Sequence, residues 1–429
     1  MTPLAVLYQR FLECTGVCTD TRAIEAGSLF VALKGPRFDA NAFAAQALAS
    51  GARYAIVDDP GAAVDPRCLL VHDGLAALQD LARHHRRQFE LPVLAITGTN
   101  GKTTTKELVQ AVMAGDRPTL ATKGNLNNHI GVPLTLLRLT AGHRFAIIEM
   151  GANKPGDIAE LVGIAEPTHG LITNVGRAHL EGFGGFDGVL RTKTELYAFL
   201  ASHAGSLLVN ADDEVLMTRS QGLPRHTYGT RPDADTRGRD ASQGPFLGLA
   251  FLGRDGREHR VATRLVGAYN LPNALAAVAV GRLFGVPDAT IVSALEGYVP
   301  SNNRSQFSDT GRNEVVVDAY NANPSSMGAA LRHFAAMASA RPKLVILGDM
   351  LELGADSRAE HRKIIELISQ LGLEAWYVGP LFAEAGASGT TYANAEAVVA
   401  RLNSEPVEGR LILLKGSRGI RLEALLPAL

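Results

Sequence analysis

Short apolar runs recur along this chain, and most are followed by a longer stretch whose apolar residues fall three and four positions apart. Residues 28–33, 54–57, 93–96, 145–149, 170–175, 206–209, 314–318, 343–348 and 411–414 read as strands rich in Val, Ile and Leu. Residues 42–50, 75–89, 106–113, 190–196 and 271–284 read as helices, the first alanine-rich and stopped by Gly51. Apolar runs that alternate with helices predict parallel sheets covered on both faces. The fold class is therefore α/β.

Shifts in this pattern divide the chain into three domains. Residues 1–90 make a small α/β unit that ends before Pro92, and residues 91–300 carry a central sheet. A polar break at Pro300-Ser301-Asn302-Asn303 opens a third unit, 301–429, with its own open sheet. Between 220 and 243 the chain turns polar and rich in Arg, Asp, Gly and Pro, which predicts loop, with hairpin connections as the alternative. Open α/β sheets bind ligands beyond the carboxyl ends of their strands, and the third unit carries Asp318, Asp349 and Lys415 there.

Charge and cysteine content narrow the classes. Among 429 residues, 42 basic and 43 acidic side chains leave a net charge of −1, so there is no general basic field for nucleic acid. The cluster Arg83-His84-His85-Arg86-Arg87 sits in a helical pattern and reads as a solvated face. Three cysteines, Cys14, Cys18 and Cys68, make no disulfide framework, and the first two lack a second ligand pair for zinc. No secretory leader pattern opens the chain, and no apolar run reaches the ~18 residues of a membrane span. The expectation is a reducing, cytoplasmic location without membrane insertion.

The chemistry begins at residue 98. The strand 93–96 runs into Gly98-Thr99-Asn100-Gly101-Lys102-Thr103-Thr104 and then into a helix. Glycine backbone lets several N–H groups face phosphate oxygens, and a helix N-terminus adds a favourable dipole. Lys102 would reach the outer phosphates and the Thr103 hydroxyl a magnesium ion, so the loop points to ATP. The usual pattern has a further glycine where this chain has Ile96, so the loop is a short form.

Other candidates stand in pairs of readings. Glu149 ends a strand and either holds magnesium or is an exposed carboxylate. His179 follows another strand, as a structural histidine or a metal ligand. Lys193, in a helical segment, reads on its own as a surface lysine. Asn125, Asn127 and Asn128 suit sugar hydroxyls or phosphates, and equally cap helices and turns. Asn270 and Asn273 cap a helix or read a base edge. The polar loop from Asp318 to Ser326 is longer than a connection needs and favours a site, with Ser325 or Ser326 as the helix cap.

In this order, the segments resemble the Mur ligases, ATP-dependent amide-bond-forming enzymes of bacterial peptidoglycan precursor synthesis. The resemblance spans nearly the whole chain, and the short phosphate loop is that family's form. Four stretches are similar to the branch that joins D-alanyl-D-alanine to UDP-N-acetylmuramoyl-tripeptide. They are Asn125-Leu126-Asn127-Asn128-His129-Ile130-Gly131-Val132-Pro133, Glu149-Met150-Gly151-Ala152-Asn153, Asp318-Ala319-Tyr320-Asn321-Ala322-Asn323-Pro324 and Leu347-Gly348-Asp349-Met350-Leu351-Glu352-Leu353-Gly354. The Asp-Asn-Pro-Arg motif of the diamino-acid-adding relatives does not occur.

The resemblance implies a small UDP-binding domain, a central phosphate-loop domain and a C-terminal Rossmann-like domain. It implies that Lys193 is carbamylated by carbon dioxide and supports a magnesium ion held by Glu149 and His179. Thr103 would serve a second magnesium, Asn270 and Asn273 the adenine side, and Arg304 the nucleotide phosphates. Asp318, Tyr320 and Asn321 would close over ATP, while Asn125, Asn127 and Asn128 would face the other substrate. Catalysis would rest on Lys102, Lys193 and His179, in a monomer. Uridine would be held by Thr21, Arg22, Gly35 and Asn41, with two departures from the family pattern. Thr21-Arg22 replaces Ser-Arg, and Asp39-Ala40-Asn41 replaces Asp-Gly-His, where alanine is less free than glycine at positive φ. The alternatives are a Mur-type or folylpolyglutamate-type ligase with another amino acid, or an ATP-driven switch that ligates nothing.

Overall fold

A computed structural model describes residues 1–176, 180–301 and 303–429. Four parallel strands form the first sheet: β1 (Val17–Cys18), β2 (Leu29–Val31), β3 (Tyr54–Val57) and β4 (Cys68–Leu70), side by side in that order. The helix Gly74–Arg86 then leads to the central sheet. Its strands are β5 (Val93–Thr97), β6 (Thr119–Ala121), β7 (Phe145–Glu149), β8 (His169–Ile172), β9 (Ser206–Asn210), β10 (Arg225–Gly229), β11 (Thr236–Asp240), β12 (Phe246–Leu252) and β13 (Glu258–Val266). They lie in the order β13-β12-β11-β10-β9-β8-β5-β7-β6. Pairing is parallel from β6 to β11, and β12 and β13 continue antiparallel. The third sheet contains β14 (Gln306–Asp309), β15 (Glu314–Asp318), β16 (Lys343–Gly348), β17 (Glu374–Val378), β18 (Thr390–Tyr392) and β19 (Leu411–Lys415), in the order β14-β15-β19-β16-β17-β18. The antiparallel β14 edges an otherwise parallel sheet.

The core follows these layers. One cluster joins Leu29, Leu78, Leu81, Val93, Ala95 and Ile148, so the first sheet and the central sheet share apolar packing through the helix Gly74–Arg86. A second buries the opposite face of the central sheet under the helices Lys102–Ala114 and Leu271–Leu283. Two more cover the faces of the third sheet. Strands buried on both sides explain why β5, β7 and β16 are almost continuous runs of apolar residues.

Three expectations change. The polar stretch 220–243 contains β10 and β11, not loop alone. There β11 alternates buried Thr236 and Gly238 with exposed Arg237 and Arg239, the pattern of a strand with one wet face. The basic cluster in the helix Gly74–Arg86 is not simply solvated. Arg86 is buried and donates to the carbonyls of Phe89, Ala165 and Glu166, and buried His85 sits 3.0 Å from the Leu139 carbonyl through Nε2. Asn323, rather than Ser325 or Ser326, caps the helix Pro324–Ala336, accepting from Ser326 N while the Ser326 hydroxyl accepts from Asn323 N.

The passage into the third sheet is tied down. Val266 N donates to the Ser305 carbonyl, and the Ser305 hydroxyl contacts Tyr269 Oη and accepts from Asn270 Nδ2. Asn303 and Ser305 both adopt positive φ, +57° and +48°. No helix among the described residues is long and apolar enough to cross a membrane.

Candidate functional site

The central strand order builds the site. β5 lies between β7 and β8, with Ile96 opposite Glu149 and Thr97 opposite Ile172. The loop that leaves β5 is therefore flanked by Glu149 on one side and by Thr173 and Asn174 on the other. Its two glycines are conformationally required: Gly98 has φ +140° and Gly101 φ +79°. A Cβ on Gly101 would also stand 2.5 Å from Asn273 Oδ1.

Side chains on neighbouring strands hold the loop. Thr173 Oγ1 and Asn174 Nδ2 donate to the Asn100 carbonyl at 2.6 and 3.0 Å, and Asn100 N donates to Asn174 Oδ1 at 3.0 Å. Thr99 Oγ1 accepts from Gly176 N. Lys102 folds back along the loop and donates to the Gly98 and Thr99 carbonyls at 2.7 and 3.0 Å. Burial lowers its ammonium to about 8, Glu149 acts the other way, and Arg304 adds to the lowering. Thr103 and Thr104 open the helix and line the same cavity.

Glu149 is buried, which removes the exposed-carboxylate reading. Its Oε1 accepts from Asn127 Nδ2 at 2.8 Å and from Thr103 Oγ1 at 3.2 Å, and its Oε2 is buried with no partner among the described residues. A buried carboxylate oxygen without a donor is costly unless a cation meets it. Both the Glu149 carboxylate and the Thr103 hydroxyl are oxygen donors of the kind that suits hard divalent cations such as magnesium. Among the described residues, the one group of three His, Cys, Asp or Glu side chains with metal-ligand spacing is Asp255, His259 and Asp288. It lies outside this cavity and ties the β12–β13 turn to the helix Asp288–Gly297.

Lys193 is not on the surface. It sits inside the helix Phe186–Ser202, buried, with its Nζ 5.7 Å from the centre of the Phe183 ring. Burial lowers its amine to about 7, helped by the positive charge of Lys102 and opposed by Asp157 and Glu195. Its side chain is not among those lining the cavity. His179 lies outside the described residues.

The cavity, about 930 Å³, is shared by the central and C-terminal sheets. Asn125, Asn127 and Asn128 line one end; Asn127 holds Glu149, and Asn128 Oδ1 accepts from Ile130 N and Gly131 N ahead of the helix Gly131–Leu136. Asn270 and Asn273 line another part without capping their helix by side chain. They form a relay, Thr105 Oγ1 to Asn273 Oδ1 and Asn273 Nδ2 to Asn270 Oδ1, that ties the helix Leu271–Leu283 to the phosphate-loop helix.

The C-terminal wall comes from the loop after β15 and from β19. Asp318 lies opposite Lys415 in the parallel register, and Lys415 Nζ donates to Asp318 Oδ2 at 2.6 Å. Lys415 is buried and lines the cavity, as do Arg304, Tyr320 and Asn321. The Arg304 guanidinium stacks 3.7 Å from the centre of the Tyr320 ring, and Arg418 approaches the same ring at 5.2 Å. Asp349, just past the end of β16, does not line this cavity. It is buried and accepts from Leu381 N and Phe382 N, anchoring the helix Pro380–Glu384. Lys415, expected at a ligand-binding strand end, does line the cavity; Thr173 and Asn174 line it too without having been singled out, and their position just past the end of β8 was the available signal.

The first domain is arranged differently. None of Thr21, Arg22, Gly35 and Asn41 lines the main cavity. Arg22 is exposed and paired with Asp20. Asn41 is buried, donating to Asp39 and Asp58 and accepting from Asp58 N. Ala40 enters a 3-10 turn capped by Asp39 and is not among the positive-φ residues, so this turn does not require a glycine there. A smaller cavity of about 330 Å³ borders Asp39, Asn41 and Asp59.

Three family models match in succession: the Mur ligase family catalytic domain over residues 13–86, the Mur ligase middle domain over 96–281, and the Mur ligase glutamate ligase domain over 303–418. The Escherichia coli UDP-N-acetylmuramoyl-tripeptide–D-alanyl-D-alanine ligase is 36% identical, across 96% of this chain and 93% of its own. The fold is similar to that of MurF from Acinetobacter baumannii, with a TM-score of 0.87 at 31% identity over 99% of this chain and 98% of that one. It is also similar to the MurF ligase of Thermotoga maritima in complex with ADP, with a TM-score of 0.85 at 26% identity over 97% of each chain.

Proposed function

The chain belongs to the Mur ligase family, and from that premise we propose that it joins D-alanyl-D-alanine to UDP-N-acetylmuramoyl-tripeptide using ATP. The observation that carries this reading is the shared cavity. It sets the phosphate loop and Lys102 opposite Arg304, Asp318, Tyr320 and Lys415 of the C-terminal sheet. The ADP held by the Thermotoga maritima relative supports the nucleotide assignment. Residues 1–90 then hold the UDP moiety, 91–300 the ATP, and 301–429 close over both, with Thr21, Arg22, Gly35 and Asn41 as the uridine side.

The reaction requires two transfers. A carboxylate oxygen of the tripeptide attacks the γ-phosphorus in line, and the bond to the departing ADP oxygen breaks, leaving an acyl phosphate. The amine of D-alanyl-D-alanine attacks the acyl carbon, gives up a proton, and phosphate leaves with the bonding electrons. Lys102 balances charge on the moving phosphoryl group. The Asn270–Asn273 relay orients the adenine side, and Asn125, Asn127 and Asn128 orient the tripeptide. Two magnesium ions, when bound, supply further charge neutralisation. Thr103 would hold one, and Glu149, His179 and a carbamate on Lys193 the other. An amine with its pKa near 7 is substantially neutral at working pH, so its lone pair can attack carbon dioxide, with loss of a proton. The three free thiols suit a cytoplasmic setting, where the chain would act as a monomer.

Phosphate release with mass detection of product tests the reading. Protein, ATP, magnesium, UDP-N-acetylmuramoyl-tripeptide and D-alanyl-D-alanine are combined, and each is omitted in turn. A UDP-linked pentapeptide in the complete mixture alone is the expected result. Ligation of a different amino acid would keep the family and overturn the acceptor. ATP binding without any ligation would leave a switch.

A further inference from the structure

The side chain of Asn100 does not stay within its own loop. Its Oδ1 accepts from Asn323 Nδ2 at 2.7 Å, and its Nδ2 lies 3.4 Å from Asn323 Oδ1. Two amides thus pair reciprocally across the cleft, one on the phosphate loop and one on the C-terminal domain. Both are held by their own side. The Asn100 backbone is fixed by Thr173 and Asn174 at the end of β8. Asn323 is largely buried and is locked as the cap of the helix Pro324–Ala336. Gly176 and Ser325 pack at the same junction, where a Cβ on Gly176 would stand 3.2 Å from Ser325 Oγ.

We propose that Asn100 and Asn323 form a latch that fixes the C-terminal domain against the phosphate loop and so positions the catalytic loop. Asn323 ends the segment that begins at Asp318 and includes Tyr320 and Asn321. A two-point contact at its end sets where those three side chains stand over the nucleotide. Asn100 is therefore a positioning residue whose amide is read by the other domain, in addition to its backbone's place in the loop. The reactive half of this inference rests on the ligase reading; the closure half does not.

Asn323→Ser and Asn323→Asp test it, because serine and aspartate both cap helices. Serine cannot reach Asn100, and aspartate loses the Nδ2 donor while keeping an acceptor. Small-angle scattering of the full chain, with and without ADP and magnesium, reads closure directly. Wild type is expected to give the smaller radius of gyration with ADP; Asn323→Ser should be the most open, with Asn323→Asp between them. In turnover, kcat should fall about tenfold for Asn323→Ser, with the KM for ATP moving less than about threefold. Asn100→Ser should match it, and the double variant should lose no more than either single one. Identical scattering for wild type and Asn323→Ser overturns the latch, as do additive losses in the double variant. A wild type that closes with ADP and ligates nothing leaves the latch standing and removes the ligase reading.

Discussion

The cleft between the second and third sheets and the polar surface of the first domain use similar residues to different ends. In the cleft, polar groups are directed at a common space by backbone that can take few other forms. Gly98 and Gly101 shape the loop, Thr173 and Asn174 hold it, and Glu149 keeps one buried oxygen without a partner among the described residues. In the first domain the polar groups satisfy one another: Arg22 with Asp20, and Asn41 with Asp39 and Asp58. A site whose geometry comes from a strand–loop–helix unit announces itself in a few consecutive letters. A site assembled on mutually paired side chains does not.

The sharpest test of this contrast is Lys102→Ala. It should lower ATP-dependent phosphate release by roughly a thousandfold or more while thermal unfolding stays near wild type. Normal turnover would place the chemistry elsewhere.

Lys193→Arg comes next, with an expected loss of about a hundredfold, because guanidinium stays protonated and cannot take up carbon dioxide. A carbamate signal from ¹³C-bicarbonate should appear in wild type and vanish in this variant. The same residue predicts a pH effect on stability. Its folded pKa is depressed to about 7 from an ordinary 10.5, so between those values the unfolded chain binds more protons than the folded one. Stability contributed by this site should therefore rise with pH across that window. Lys193→Met should flatten the slope in denaturant titrations at successive pH values, and an unchanged slope would show that the amine is not desolvated.

Glu149→Gln should shift the magnesium titration midpoint upward by about tenfold, since the neutral amide is a poorer ligand for a hard cation. The smallest expected effect on chemistry comes from the first domain. Asn41→Ala should cost about 1–3 kcal/mol of stability, leaving two carboxylates and Asp58 N short of partners, while ATP affinity stays as it was. Unaltered unfolding would show that these hydrogen bonds carry no stability, and unaltered UDP binding would remove Asn41 from the uridine side.

Much of the fold was legible from periodicity. The strands 54–57, 145–149, 314–318 and 343–348 carry the bounds expected of them, because each is an apolar run buried on both faces. What escaped depends on distant partners. β11 is polar because one of its faces is wet, and β10 carries polar side chains paired with β11 and the turn before it, so composition alone cannot tell such strands from loops. Arg86 looks solvated until the carbonyls of Ala165 and Glu166 arrive from some 80 positions away. Lys193 looks like a surface lysine until the fold buries it beside the Phe183 ring. In the cleft, the phosphate loop was readable, whereas the Lys415–Asp318 pair and the Arg304–Tyr320 stack join residues that only the third sheet brings together.

The tethering of Ser305 has a mechanical meaning. Because its carbonyl and hydroxyl are bonded to Val266, Tyr269 and Asn270, Ser305 is moored to the central sheet, while the carbonyl of Asn303, two residues earlier, accepts from Ala319 N just past β15. Residues 303–305 therefore clasp both sheets at once, and Arg304 sits inside the clasp with its guanidinium stacked on Tyr320. Any swing of the third sheet has to turn about this clasp, which makes it a hinge pin rather than a slack linker between the two bodies.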